Sequence, residues 1–155
     1  MKKFIIIAGS ANCGKTITCN LTIKKLIQKG YRVEENRNEK YDKSWEELDK
    51  YGDPTTWSEV TLEKEGEKIL LIAYGDIEEH FNSCFNGLNI DEYYAIVCCS
   101  RAARGKKVFN RVYDYIGELN LDTTQVIPIY KNFLSHKENY KKENDKVSDL
   151  IVDLI

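Results

Sequence analysis

The chain has 155 residues, of which 42% are apolar and 31% are charged, and its formal net charge is -2. This length and apolar content predict a globular protein that buries a real hydrophobic core. The charge balance argues against a general nucleic-acid binder and against a membrane-surface binder, because both need an excess of Lys and Arg.

The cysteines and the N-terminal sequence indicate a cytoplasmic protein. Five cysteines without a C-x-x-C pair favour reduced thiols over a disulfide framework or a zinc site. The first apolar run, residues 4–8, is shorter than the roughly 7–15 residues of a signal peptide or the roughly 20 of a membrane-spanning helix. We therefore interpret this run as a core strand.

Strand patterns and helix patterns alternate along the chain. The first strand is followed by a helix that runs from Gly14 to a stop signal at Gly30, and then by a weak strand at 31–33. Further strands are predicted at 57–64, 69–74, 93–99 and 125–130, and further helices at 77–88, 108–119 and 138–154. The polar stretch 36–57 contains a short helix pattern that begins at Ser44.

This alternation predicts an α/β fold, namely a three-layer sandwich with a mainly parallel sheet between two layers of helices. The segment near 57–64 is expected to form an antiparallel hairpin with 69–74 at one edge of the sheet. We interpret residues 1–155 as one domain with an insertion at about 36–57, since no linker or repeat divides the chain.

The residues that follow the first strand fit a phosphate-binding motif. They read Gly9-Ser10-Ala11-Asn12-Cys13-Gly14-Lys15-Thr16, which matches G-x-x-x-x-G-K-[ST] at every fixed position. The two glycines let the backbone fold closely around phosphate oxygens, and successive N–H groups together with the helix start form an anion nest. Lys15 would bind the β- and γ-phosphates, and the Thr16 hydroxyl would ligate Mg²⁺.

By this motif and its strand–loop–helix context, the chain resembles the P-loop NTPase superfamily. The motif covers residues 9–16, and the alternating pattern extends the resemblance loosely over the whole length. The resemblance implies a nucleoside triphosphate bound with Mg²⁺, and an acidic residue linked to the metal after a second core strand. Asp76 is the first candidate for this acid and is equally interpretable as a helix N-cap. Glu34 and Glu35 are the substitutes, and solvated loop charges are the favoured interpretation of both.

A basic segment follows the strand predicted at 93–99. Arg101 and Arg104 would emerge at the carboxyl end of the parallel sheet, where ligands bind, and could stabilise charge on a transferring phosphoryl group. The alternative is a basic helix start that faces solvent. Because positive charge at a helix N-terminus is unfavourable, an anion partner explains the segment better.

Two further features have alternative interpretations. The aromatic residues of the insertion would stack on a base, pack on a partner, or anchor the insertion to the core, and the last is favoured; they are Tyr41, Trp45, Tyr51 and Trp57. Cys13 would be redox-sensitive, because Lys15 and the helix start lower a thiol pKa, or a small space-filling side chain, which is favoured.

The expected function is Mg²⁺-dependent binding of a nucleoside triphosphate with hydrolysis or transfer of its γ-phosphate. An ATPase and a kinase with a small-molecule phosphoryl acceptor both fit. ATP is the default nucleotide, because Tyr130-Lys131-Asn132-Phe133 occupies the place of the Asn-Lys-x-Asp guanine signature and does not match it. The alternative is a nucleotide-dependent switch that acts through a protein partner. A degenerate domain with a structural role is the third hypothesis.

Overall fold

The structure, a computed structural model, describes residues 2–37, 59–73, 78–102, 107–119, 124–132 and 136–155. The described residues form the strands β1 (Lys3–Gly9), β2 (Arg32–Asn36), β3 (Glu59–Lys64), β4 (Glu67–Ile72), β5 (Ala95–Arg101) and β6 (Gln125–Lys131). They also form the helices α1 (Lys15–Gln28), α2 (Glu78–Phe85), α3 (Lys107–Glu118) and α4 (Lys137–Leu154). This element order is the predicted one, and the short helix predicted at Ser44 lies outside the described residues. No helix within the described ranges has the length and apolar character needed to cross a bilayer.

The strands form one sheet in the order β2-β3-β4-β5-β1-β6. β1 pairs in parallel with β5 and β6, and β4 pairs in parallel with β5. β3 runs antiparallel to both of its neighbours, β2 and β4. The sheet is therefore α/β and mainly parallel, as predicted, but the edge position predicted for the antiparallel strand is wrong. β2 lies outside β3, because the segment predicted as a weak strand extends to Asn36 and pairs along β3.

Helices cover both faces of the sheet. Along β1, Ile5 and Ile7 pack in a core cluster with side chains of α1 and α4. The alternate residues Phe4 and Ile6 pack in a second cluster with side chains of α2 and α3. Successive side chains of a strand point to opposite faces, so a strand covered on both sides is apolar throughout. This arrangement explains the continuous apolar run and confirms the three predicted layers.

Two turns are formed by residues with positive φ. Gly30, with a φ of 93°, follows α1, and its N–H donates to the Ile27 carbonyl at 3.0 Å. The next N–H, that of Tyr31, donates to the Leu26 carbonyl at 3.1 Å, which completes a Schellman motif. The β3–β4 hairpin turns at Glu65 and Gly66, whose φ values are 54° and 84°, as a two-residue turn of type I′ requires.

Candidate functional site

The carboxyl edge of the sheet brings together the ends of three neighbouring strands. β1 ends at Gly9, which pairs with Arg101 of β5 on one side and with Lys131 of β6 on the other. Two cationic residues therefore flank the residue at which the motif begins. The sequence predicts Arg101 at this edge, and the structure places it there. Lys131 lies outside the phosphate-binding motif and is not predicted as a site residue.

The loop 9–16 bends through two left-handed residues. Asn12 has a φ of 60° and Gly14 a φ of 84°. Gly14 is the N-cap of α1, and as a glycine it has no side chain with which to cap the helix. The first turn contains no acidic residue and begins with Lys15. Because the first N–H groups of a helix have no partner within it, this helix start offers several donors beside a positive charge.

The Lys15 side chain folds back across the loop. Its Nζ donates a hydrogen bond to the Ser10 carbonyl at 2.9 Å, and the residue is 5% exposed. An ammonium group carries three donors, so it can bind a loop carbonyl and a phosphate oxygen at the same time. The bond to Ser10 keeps the positive charge within the span of the loop rather than in solvent.

Thr16 connects the loop to the end of β4. Its Oγ1 donates a hydrogen bond to the carbonyl of Ala73 at 2.8 Å, and Ala73 directly follows β4. The start of α1 thus reaches the carboxyl end of β4, although β5 separates β4 from β1 in the sheet. Asp76 comes three residues after Ala73 and lies outside the described residues.

The described residues include one of the predicted Mg²⁺ ligands. Within the described ranges, no group of three or more His, Cys, Asp or Glu side chains could hold a metal ion by itself. The Thr16 hydroxyl oxygen is a hard donor that suits Mg²⁺ while its proton bonds to Ala73. Mg²⁺ commonly takes its remaining ligands from substrate phosphates, waters and one or two carboxylates, so Thr16 fits such a site.

Both glycines of the motif are packed too closely for a side chain. A Cβ on Gly9 would lie 2.6 Å from Cys13 Sγ and 2.6 Å from the Lys131 carbonyl oxygen. A Cβ on Gly14 would overlap the side-chain oxygen of Asn144 and lie 2.9 Å from the Tyr140 hydroxyl. The glycines therefore let the loop pack against β6 and α4, in addition to any close approach to phosphate.

Helix α4 packs against the end of the loop and the start of α1. Thr18 Oγ1 donates to Asn144 Oδ1 at 3.2 Å, and both residues are fully buried. Further along the same pair of helices, Lys25 Nζ lies 2.7 Å from Asp145 Oδ1 and 2.6 Å from Asp149 Oδ1. The sequence predicts a helix at 138–154 and none of these polar contacts. The helical spacing of residues 140, 144, 148 and 151 is the signal that would have included the polar side chains.

Lys131 forms a buried ion pair with α4. Its side chain is 0% exposed, and Nζ lies 3.3 Å from Oε2 of Glu143, whose side chain is 23% exposed. Burial lowers the pKa of Lys131, and the nearby Glu143 carboxylate opposes that shift only in part. The sequence signal for this ion pair is a lysine at the end of an apolar strand, because an unpaired charge is rare at such a position.

Cys13 is a buried residue of the loop. Burial raises the pKa of its thiol, and the opposing effects of Lys15 and Lys131 are smaller. A raised pKa disfavours the reactive thiolate. Its complete burial and its position against Gly9 agree with the space-filling interpretation.

Arg101 is partly exposed, and its Nε is buried. Among the described residues this Nε has no hydrogen-bond partner, and such an atom carries a cost of about 1–3 kcal/mol until an acceptor reaches it. Arg104 lies outside the described residues, as do the four aromatic residues of the insertion.

Glu34 and Glu35 do not reach the loop. β2, which carries both, is four strands away from β1 in the sheet, a separation of about 19 Å at the usual strand spacing. Glu34 pairs with Lys68 at 2.7 Å and Glu35 with Arg37 at 3.2 Å. Both carboxylates are therefore engaged in ion pairs on β2, and their role as substitutes for Asp76 stays a prediction.

Comparison with known proteins adds no relative to this description. No protein-family model, no curated protein and no solved structure matches the chain.

Proposed function

We propose that this chain is a P-loop NTPase domain that binds a nucleoside triphosphate, by default ATP, at the loop 9–16. With Mg²⁺, it hydrolyses or transfers the γ-phosphate. The observation that carries the proposal is the start of α1, which has Gly14 as its N-cap, Lys15 as its first residue and no acid in its first turn. Helix starts usually carry a polar capping side chain and acidic residues. A bound phosphate would supply the negative charge that the first turn lacks.

The loop residues have separable roles in this proposal. The left-handed Asn12 and Gly14 bend the backbone so that successive N–H groups can converge on phosphate oxygens. The Lys15 ammonium, already held in the loop by Ser10, contacts the β- and γ-phosphates. Gly9 keeps the loop close to β6, because any side chain there would collide with the Lys131 carbonyl.

The transfer step needs stabilisation of charge on the γ-phosphoryl oxygens. Arg101 ends the strand next to Gly9, and its Nε has no hydrogen-bond partner in the part of the chain that the structure describes, so an anionic oxygen would satisfy it. Thr16 and Asp76 are the residues that would hold Mg²⁺, which when bound neutralises phosphate charge. Arg104 is the second candidate for charge stabilisation, from its place in the sequence.

The fate of the γ-phosphate distinguishes three forms of the proposal. A kinase transfers it to an acceptor, for which the aromatic residues of the insertion are the candidate site, whereas an ATPase transfers it to water. A switch would hydrolyse slowly until a protein partner binds. Incubation with Mg·ATP and a panel of small acceptors separates them: acceptor-dependent ADP formation favours the kinase, and phosphate release that rises only with added protein favours the switch.

Lys15→Ala tests the binding proposal itself. We expect the substitution to weaken Mg·ATP binding at least 10- to 150-fold, because a hydrogen bond to a charged group contributes about 1.5–3 kcal/mol. The matched control is Lys24→Ala, which removes the same charge from an exposed position of the same helix. Isothermal titration calorimetry measures both affinities, and thermal unfolding checks the fold. Equal affinity of the Lys15→Ala variant and the wild type would refute the proposal.

A further inference from the structure

A second lysine, Lys131, lies beside the first residue of the loop 9–16, because it pairs with Gly9 in the sheet. Lys131 reaches Glu143 on α4 at 3.3 Å, and its side chain is 0% exposed. The Lys131 charge also acts on the Cys13 thiol, on which the Lys15 charge acts as well. Two lysine charges, one on the loop and one on β6, therefore act on the same loop residue.

Within the described ranges, the Glu143 carboxylate compensates the Lys131 charge only in part. Its distance to Glu143 exceeds the roughly 2.7–2.9 Å of a close charge-assisted hydrogen bond. The pKa of Lys131 is lowered, because the effect of burial exceeds that of the carboxylate. Since a buried charge is unfavourable unless it is paired, an additional anion nearby would stabilise the protonated side chain.

An apolar side chain would fill this position without the desolvation penalty. The main-chain contact between β6 and the loop does not need the ammonium either, because it involves the carbonyl oxygen of Lys131 beside Gly9. The charge of Lys131 is therefore separable from the packing of its backbone against the loop.

We propose that Lys131 is a positioning residue for the polyphosphate chain, a fixed positive charge beneath the loop that makes the site select triphosphates over diphosphates. The inference rests on the proposed function and deepens it. Lys131 acts through space and through the loop, whereas Lys15 contacts the phosphates directly. One unit charge on the order of 10 Å away, at an effective dielectric constant of about 20, changes binding about ten- to twentyfold for each charge on the ligand.

Inorganic tripolyphosphate and pyrophosphate, titrated calorimetrically into the full chain, provide the test, and ATP and ADP are titrated in parallel. In Lys131→Met we expect tripolyphosphate to lose about tenfold more affinity than pyrophosphate. Lys131→Arg should restore the wild-type ratio, because Arg stays charged. Lys25→Met is the matched control: it removes the ion pairs of Lys25 with Asp145 and Asp149 on α4 and should leave the ratio unchanged.

If the role of Lys131 is purely structural, its substitution weakens the binding of tripolyphosphate and of pyrophosphate by the same factor, and that result would overturn the inference. So would a Lys131→Met variant with the wild-type ratio. If Lys15→Ala abolishes binding but the Lys131 variants show no selective effect, the Lys131 inference is refuted and the proposed function is not. If the wild type binds neither tripolyphosphate nor ATP, the inference and the proposed function are both refuted. Should the Met variant fail to fold by thermal unfolding, Lys131→Gln, which can still donate to Glu143, takes its place.

Discussion

Gly14→Ala probes the packing of the loop against α4. The substitution adds one methyl group at a φ of 84° and at a point where the new Cβ would overlap Asn144 Oδ1 and lie 2.9 Å from the Tyr140 hydroxyl. Two penalties follow, one from the left-handed backbone and one from the collision. Gly66→Ala is the matched control, because Gly66 has the same φ of 84° and no atom of the described residues lies within 4 Å of its Cβ position.

The two penalties have separate magnitudes. A non-glycine residue in the left-handed conformation costs about 1–2 kcal/mol, and an extra methyl group in a close-packed site costs about 1–3 kcal/mol. Gly66→Ala should therefore lose about 1–2 kcal/mol of unfolding free energy, and Gly14→Ala about 2–5 kcal/mol. For a chain of this size, the difference between the variants corresponds to roughly 2–12 °C in Tm.

Urea unfolding without nucleotide, followed by circular dichroism, measures both losses. Asn144→Ala supplies a second check, because it removes the Oδ1 atom with which the new methyl group collides. In that background Gly14→Ala should cost less, with a coupling energy of about 0.5–3 kcal/mol. Equal losses in Gly14→Ala and Gly66→Ala, or strict additivity with Asn144→Ala, would show that α4 does not pack on the loop as described.

Two substitutions test the residues assigned to the chemistry. Asp76→Asn should lower Mg²⁺-dependent ATP turnover more than it lowers ATP affinity, since an amide is a poorer Mg²⁺ ligand than a carboxylate; parallel measurement of kcat and Kd checks this. Arg101→Ala should lower kcat without lowering Tm, because within the described ranges its buried Nε has no hydrogen-bond partner that the substitution would remove; turnover assays and thermal unfolding check this.

Each of these two variants has a contradicting outcome. Unchanged turnover in Asp76→Asn would place the metal-linked acid elsewhere in the chain. For Arg101, the matched control is Arg111→Ala, which removes a guanidinium that bonds Asn82 and Glu118 on helices α2 and α3. If both arginine variants keep the wild-type rate, Arg101 does not stabilise charge on the transferring phosphoryl group.

Features that depend on neighbouring residues were predictable from the sequence. The run at 4–8 identifies a strand buried on both faces, because no polar residue interrupts it. Gly30 marks the end of α1, and Glu65-Gly66 marks the hairpin turn. All three residues adopt positive φ in the structure. The motif at 9–16 places a tight loop between a strand and a helix, and the structure has that loop between β1 and α1.

Features that depend on distant parts of the chain were not predictable in this way. Whether β2 or β3 forms the sheet edge depends on which strand β3 pairs with after the long connection between them. Local strand propensity does not determine this pairing. The partnership of Thr18 with Asn144 joins residues 126 positions apart. Lys131 looks like a solvated strand end until its register with Gly9 and its ion pair with Glu143 are known.

The support that α4 gives to the loop has a consequence for biosynthesis. Ribosomes add roughly 5–20 residues per second, so the 126 positions between Thr18 and Asn144 correspond to a delay on the order of 10 s. During that interval the motif has already left the peptidyl-transferase centre, but helix α4, which packs against it, has not yet been synthesised. Under the proposed function, a nascent chain would therefore bind a nucleotide late, and the nucleotide would stabilise finished molecules rather than guide the first stages of their folding.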